Sequence, residues 1–211
     1  MTSGIRLVGL GDSLIRGAGD AGELGWLGRL TEALKPDFPE LEMLNRGVGG
    51  DTTRHILAWI EQDCLGLEPD LVILGVGVND SRRRVSLQNQ CEIPLDLFEQ
   101  NLNEIILRLK RAGAGIIVSG MIPVDDRGAT YKEDKQHFRN DQFRYEAIIE
   151  KVAALNKVTY LDHFNRCLAF GDARISSLLL DGVHPNSQGY AEMAQASIPV
   201  VASQIRMLST K

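Results

Sequence analysis

Short apolar runs alternate with longer amphipathic stretches along the chain. Five apolar runs have the length and composition of β-strands: residues 5–10, 41–45, 71–76, 115–120 and 158–161. The third run, Leu71 to Val76, lacks alternation of apolar and polar residues, which is typical of a strand buried on both faces. We therefore expect these runs to form a sheet that is covered on both sides.

The stretches between the runs carry apolar residues at three- and four-residue spacing, which predicts helices with one buried face. Five helices are predicted: residues 24–34, a short helix from Thr52 through Ile60, a long helix from Pro94 that Gly113 caps, residues 143–155, and a last helix from Asn186 or Ser187. Pro199 should kink this last helix or end its first part. Strand and helix alternate five times, so we predict an α/β fold with a parallel sheet between helices, in one domain over residues 1–211.

The composition is that of a globular protein. Of the 211 residues, 44% are hydrophobic and 24% are charged, which excludes a disordered, collagen-like or coiled-coil chain. Acidic residues outnumber basic ones by 28 to 23, and this argues against nucleic-acid binding because phosphate contacts need clustered Lys and Arg. No apolar stretch approaches the roughly 20 residues that cross a bilayer, so we expect no stable membrane insertion.

The cysteines bear on the cellular compartment. Cys64, Cys91 and Cys167 are odd in number and widely spaced, and no pair has the spacing of metal ligands. Reduced thiols in a reducing compartment are the simpler interpretation. The first apolar run is too short for the core of a signal peptide. We therefore expect a cytoplasmic protein.

Four polar or glycine-rich segments stand just past predicted strands or in a late loop. The first contains Gly9 and Gly11, but a dinucleotide-binding fingerprint would need a third glycine where the chain has Leu14. What remains is Ser13 at a strand-to-helix turn, where its hydroxyl can project into a crevice and its backbone N–H points outward. Asp12 is expected to cap and pin this turn rather than react.

A second segment supplies a base for this serine. A serine hydroxyl is a poor nucleophile until a base takes its proton, and neutral imidazole is the usual base near neutral pH. Asp181 lies three residues before His184, close enough on one loop to fix the tautomer of its ring, and Pro185 stiffens the loop.

The chain has three other histidines, and one of them is a rival. His163 follows Asp162 after the fifth predicted strand, but adjacent residues usually point apart, so we rank it below His184. His55 on a predicted helix and His137 in a charged loop have no comparable context.

The third and fourth segments offer hydrogen-bond donors. Residues 45–52 follow the second strand, and a glycine such as Gly50 lets backbone N–H groups approach a substrate closely. Residues 75–80 follow the third strand, and the Asn79 amide is a neutral donor suited to a developing oxyanion. Either segment alone is more simply interpreted as a tight turn. The functional interpretation depends on finding the serine, the histidine with its aspartate and both donor segments together at strand ends.

Together these segments resemble a known family. Gly11-Asp12-Ser13-Leu14, Gly50, Gly77-x-Asn79-Asp80 and Asp181-x-x-His184 are similar, in the same order, to the four blocks of the GDSL or SGNH hydrolases. The resemblance spans residues 9–186. It implies a flavodoxin-like three-layer α/β/α sandwich, hydrolysis of small to medium carboxylic esters through an acyl-serine, and no metal or organic cofactor.

The resemblance also assigns roles by position. Ser13 corresponds to the nucleophile, His184 to the general base and acid, and Asp181 to the residue that orients His184. The oxyanion hole would be the Ser13 and Gly50 backbone N–H groups with the Asn79 side chain. Asp12 and Asp80 would support the site.

Other reactions and roles stay open at this stage. The same residues would serve an O-deacetylase of acetylated sugars or metabolites, or an acyl thioesterase. A non-catalytic binding module of flavodoxin-like fold is a further alternative.

Three features outside the blocks have two interpretations each. Arg82-Arg83-Arg84 is more simply a solvated loop, although it would also suit a cationic rim that contacts an anionic substrate. Trp26 should pack its helix, with a lining of the acyl pocket as the alternative. Residues 123–140 read as a surface loop, or as a lid over the site.

Overall fold

The computed structural model describes residues 4–22, 24–125 and 134–209. The strands are β1 (Arg6–Gly11), β2 (Glu42–Gly47), β3 (Leu71–Gly75), β4 (Arg83–Arg84), β5 (Gln90–Cys91), β6 (Gly115–Ser119), β7 (Lys135–Gln136) and β8 (Thr159–Leu161). The helices are α1 (Ser13–Arg16), α2 (Gly25–Leu34), α3 (Thr53–Asp63), α4 (Leu95–Arg111), α5 (Arg139–Leu155), α6 (His163–Leu168), α7 (Asp172–Leu178) and α8 (Ser187–Ser209).

Five strands form one parallel sheet in the order β2-β1-β3-β6-β8. They match the five apolar runs to within two residues at each end, so the predicted fold class is confirmed. In β3, residues 71–74 are fully buried because helices cover both faces of the sheet. All five strands point the same way, so the loops that follow them meet at one edge, where ligands bind in such folds.

The helices form two layers, in which α2 packs on α8 and α4 packs on α3 and α5. The spacing predicts an apolar stripe on α4 that begins with Leu95, which is only partly buried. The other five residues of the stripe are fully buried: Phe98, Leu102, Ile105, Ile106 and Leu109. Gly113 follows the end of α4 with a φ of 83°, a conformation that favours glycine.

The structure corrects two predictions about elements. Helix α8 runs without interruption through Pro199, so this proline does not end its first part. The segment Arg82 to Arg84 is not a solvated loop, because Arg83 and Arg84 form β4 of a small antiparallel sheet with the order β5-β4-β7.

The predicted lid is described only in part. Its interior, residues 126–133, lies outside the described residues. Of the remainder, β7 pairs with β4, and α5 starts at Arg139. No helix in the described parts of the chain combines the length and the apolar character that crossing a bilayer requires.

Candidate active site

Ser13 is the first residue of α1, just past the carboxyl end of the interior strand β1. Asp12 caps this helix, since its side chain accepts the backbone N–H of Leu14 at 2.9 Å. The backbone N–H of Ser13 has no acceptor within the helix because of its position in the first turn. Burial raises the pKa of the Asp12 carboxyl to about 7, against the lowering effect of the Leu14 hydrogen bond.

His184 and Asp181 meet Ser13 from the loop before α8. His184 Nε2 lies 3.0 Å from Ser13 Oγ, and His184 Nδ1 lies 2.9 Å from Asp181 Oδ2. The other carboxylate oxygen of Asp181 accepts the backbone N–H of His184 at 2.8 Å. Burial alone would raise the pKa of Asp181, but the hydrogen bonds from the His184 backbone and ring outweigh it and lower the pKa below its ordinary value.

Hydrogen bonds tie the start of α8, which directly follows this loop, to the segment after α1. The Tyr190 hydroxyl donates to the Ala18 carbonyl at 2.7 Å, and the Ser187 hydroxyl donates to the Asp20 carboxylate at 2.6 Å. These contacts hold His184 opposite Ser13, although 171 residues separate the two in sequence.

The two predicted donor segments are joined to each other. Asp80 Oδ1 accepts the backbone N–H of Thr53 at 2.9 Å and its hydroxyl at 2.6 Å. Asn79 Nδ2 donates to the Asp51 carbonyl at 2.9 Å. Gly50 has a φ of 91°, and an added Cβ would meet no atom within 4 Å, so its backbone conformation rather than crowding calls for glycine.

Ser13, Gly50, Asn79, Asp181 and His184 line one cavity of about 360 Å³. Ala18 and Val183 supply its apolar side chains, and the other lining residues are glycines or polar. The cavity therefore has room for a small group beside Ser13.

Arg82 also lines the cavity, but it is only 5% exposed. Its Nη1 donates to Asn79 Oδ1 at 2.7 Å, and its Nε forms an ion pair with Glu92. The guanidinium is therefore held by protein groups, and it is not a free cationic rim for a substrate.

Trp26 and His163 pack against each other away from the cavity. Trp26 is fully buried, and its ring lies 5.4 Å from the His163 ring in an edge-to-face arrangement. Burial lowers the pKa of His163 to about 4. This corrects the alternative role of Trp26 as a substrate contact, and it removes His163 as a rival base.

The two remaining histidines differ in their surroundings. His55 Nδ1 accepts the backbone N–H of Thr52 at 3.1 Å and caps α3. His137 lines the cavity beside Ser13, a position that its sequence context does not predict, and burial lowers its pKa to about 4. His137 stands in no local motif. It reaches the cavity because β7, the strand directly before it, pairs with β4.

No three His, Cys, Asp or Glu side chains within the described residues are grouped to hold a metal ion. The arrangement instead offers a hydroxyl, an imidazole and a carboxylate in one hydrogen-bonded chain. Such a chain can activate the hydroxyl as a nucleophile.

Comparison with known proteins decides the family. Residues 10–192 match the model of the GDSL-like Lipase/Acylhydrolase family. The chain belongs to this family. The resemblance predicted from the four sequence blocks is thereby confirmed, together with the fold that it implied.

The relatives with established names are esterases. An acetylxylan esterase from Geobacillus stearothermophilus is 28% identical over 210 residues, which cover 92% of each chain. An arylesterase from Vibrio mimicus is 27% identical over 190 residues, covering 90% of this chain and 84% of the relative. This family member is accordingly a carboxylic ester hydrolase.

Solved structures of an acetylxylan esterase from Geobacillus stearothermophilus include two catalytic mutants. One has a serine replaced by alanine and the other a histidine replaced by alanine. They superpose with TM-scores of 0.74 and 0.75 at 21% identity, over 97% and 94% of this chain and 96% and 94% of theirs.

Proposed function

We propose that this hydrolase removes short acyl groups, acetyl above all, from hydroxyl groups of carbohydrates, with Ser13, His184 and Asp181 as its catalytic triad. The unbroken chain of hydrogen bonds from Ser13 Oγ through the His184 ring to Asp181 Oδ2 carries the proposal. In this chain Nδ1–H donates to the carboxylate, which leaves Nε2 unprotonated and able to accept the serine proton.

Acylation begins when Ser13 Oγ attacks the ester carbonyl carbon. His184 Nε2 takes the hydroxyl proton, and the carbonyl oxygen becomes an oxyanion. When the bond to the alcohol breaks, His184 gives this proton to the departing alcohol oxygen. The acyl group is then bound to Ser13, and His184 is neutral again.

Deacylation repeats these steps with water. His184 takes a proton from the water as its oxygen attacks the acyl-serine, and then returns a proton to Ser13 Oγ as the carboxylic acid leaves. Backbone N–H groups of Ser13 and Gly50, with the Asn79 amide, would stabilise the oxyanion in both halves of the reaction.

The cavity supports a short acyl group. With Ala18 and Val183 as its apolar side chains, it offers little surface for a long alkyl chain. Polar side chains such as Lys135 and His137 also line it, and they can contact the hydroxyl groups of a carbohydrate alcohol. The names of the acetylxylan esterase relatives favour an acetylated carbohydrate in the same way.

We also place the protein in a reducing compartment such as the cytoplasm. Cys64, Cys91 and Cys167 are all free, with Cys64 buried, as expected where thiols stay reduced.

The first test compares Ser13→Ala with the native protein. Replacement should lower turnover of p-nitrophenyl acetate and of acetylated xylo-oligosaccharides on the order of a millionfold, because the nucleophile is lost. A series of p-nitrophenyl esters from acetate to palmitate should show turnover falling steeply with chain length.

Ser209→Ala is the matched control, because this exposed serine hydroxyl only donates to the Ile205 carbonyl in α8. It should retain full activity. Substantial turnover by Ser13→Ala would overturn the triad, and a preference for palmitate would overturn the short-acyl assignment.

A further inference from the structure

Arg82 joins two loops that line the catalytic cavity. It donates to Asn79 Oδ1 from Nη1 at 2.7 Å, and to the Gly50 carbonyl from Nη2 at 3.4 Å. Asn79 in turn donates from Nδ2 to the Asp51 carbonyl at 2.9 Å. Because Gly50 and Asp51 are adjacent, these contacts form a closed circuit that links the loop after β2 to the turn after β3.

The circuit fixes the orientation of the Asn79 amide. A guanidinium can only donate and a backbone carbonyl can only accept, so Oδ1 must face Arg82 and Nδ2 must face Asp51. Nδ2 carries two hydrogens, and Asp51 takes one of them. The positive charge beside Oδ1 polarises the amide, which makes the second N–H a stronger donor.

The charge of Arg82 is balanced within the protein. Its Nε pairs with Glu92, and the same carboxylate pairs with Arg84 at 3.3 Å. Loss of Arg82 would therefore leave Glu92 with a partner, while Asn79 Oδ1 would lose its donor.

We infer that Arg82 is a positioning residue for ester hydrolysis, which orients the Asn79 amide toward the oxyanion that forms at Ser13. The inference rests on the proposed function. Arg82 stabilises the transition state through Asn79 and does not bind the substrate, so its loss lowers kcat and leaves KM nearly unchanged.

The test measures p-nitrophenyl acetate hydrolysis by Arg82→Ala. We expect kcat to fall roughly 10- to 100-fold, less than the roughly 100- to 1000-fold loss expected for Asn79→Ala, the donor itself. KM should change less than about threefold. Arg82→Lys should recover part of the loss, because an ammonium group can donate to one acceptor but lacks the planar fork.

Arg84→Ala is the matched control. It removes the other arginine bound to Glu92, and Arg84 pairs with Glu92 and Asp134 rather than with Asn79 or Gly50. Its kcat should stay within about twofold of the native value. The thermal unfolding midpoint of each variant shows whether it folds. If Arg82→Ala does not fold, Arg82→Gln takes its place in the same measurements.

A double-mutant cycle separates action through Asn79 from general damage. In the Asn79→Ala background, removing Arg82 should lower kcat by less than about threefold. Losses that multiply would overturn the inference, as would a raised KM with unchanged kcat, which indicates direct substrate contact. If either of these results is found and Ser13→Ala is inactive, the inference about Arg82 fails but the proposed function stands. If Ser13→Ala is active, the proposed function and the inference about Arg82 both fail.

Discussion

Glu146 is a buried acid outside the proposed triad. It is 4% exposed, and its two oxygens accept the Tyr160 hydroxyl at 2.6 Å and the Met121 backbone N–H at 2.9 Å. Burial raises the pKa of this carboxyl to about 7, although both hydrogen bonds oppose the rise. Just below neutral pH, the folded protein therefore keeps a proton that the unfolded chain has lost.

This proton makes stability depend on pH. Between the ordinary pKa of Glu and about 7, the folded state binds more protons than the unfolded state, so the contribution of Glu146 to the free energy of unfolding falls as pH rises. Glu146→Gln removes this dependence. As the pH rises from 4.5 to 7.5, the free energy of unfolding of the variant should increase by roughly 1–3 kcal/mol relative to that of the native protein, as measured by urea unfolding.

Glu40→Gln serves as the comparison, since Glu40 is exposed on the turn before β2. Its unfolding free energy should run parallel to that of the native protein over the whole pH range. Parallel curves for Glu146→Gln as well would contradict the proton that we assign to the buried carboxyl.

Single residues also show where sequence interpretation succeeds and where it stops. Ser13, Asp181 and His184 could be selected because each stands in a short motif next to a predicted element. Arg82 could be named only as a candidate substrate contact and not as the partner of Asn79. His137 could not be selected at all, because its place in the cavity depends on pairing between β4 and β7. A two-residue strand has no periodicity from which its partner could be inferred.

Among the elements, α8 keeps its course through a proline. Pro199 lies in the interior of the helix on an exposed face, between the buried residues Ser197 and Val201. It has no N–H to donate to the carbonyl four residues earlier, so the helix lacks one hydrogen bond there. Packing of α8 on α2 compensates for this loss.

Pro199→Ala should therefore stabilise the protein. Proline in a helix interior costs about 3 kcal/mol relative to alanine, and we expect roughly 1–3 kcal/mol of gain in urea unfolding. Activity should not change, because Pro199 is more than three turns along α8 from its start near His184. Gln195→Ala, an exposed substitution one turn earlier, should leave stability within about 0.5 kcal/mol, and an equal gain there would contradict the role of the missing hydrogen bond.

Elements could be predicted where burial imposes a pattern. The five strands of the parallel sheet and the long helices bury continuous or periodic apolar residues, and the sequence locates them closely. Helices α1, α6 and α7 have four to seven residues each, too few to show a helical period. Asp12 and Asp162 cap α1 and α6, and α7 is placed by its contacts with α6 and α8.

At the scale of the whole molecule, the candidate site joins the beginning and the end of the fold. Ser13 follows the first strand, while Asp181 and His184 precede the last helix. Tyr190 and Ser187 on α8 hold the two halves together by hydrogen bonds to residues 18 and 20. The site therefore depends on docking of α8 more than on either half alone.

We expect the chain to unfold as one unit, so loss of activity should coincide with loss of structure. Urea unfolding followed by tryptophan fluorescence, which reports on Trp26 and Trp59, should share its midpoint with residual activity after equilibration at each urea concentration. Activity that disappears at clearly lower urea would show that the loop carrying His184 opens before the core does.

The separation of Ser13 from its base along the chain has a consequence for biosynthesis. A ribosome releases the nucleophile about 170 residues before it releases His184, the group proposed to activate it. During that interval the nascent chain holds an ordinary serine with no imidazole beside it, and prematurely terminated products hold the same. By the proposed mechanism, ester hydrolysis begins only when the segment that carries His184 and the last helix have docked, and incomplete chains lack the base that would activate Ser13.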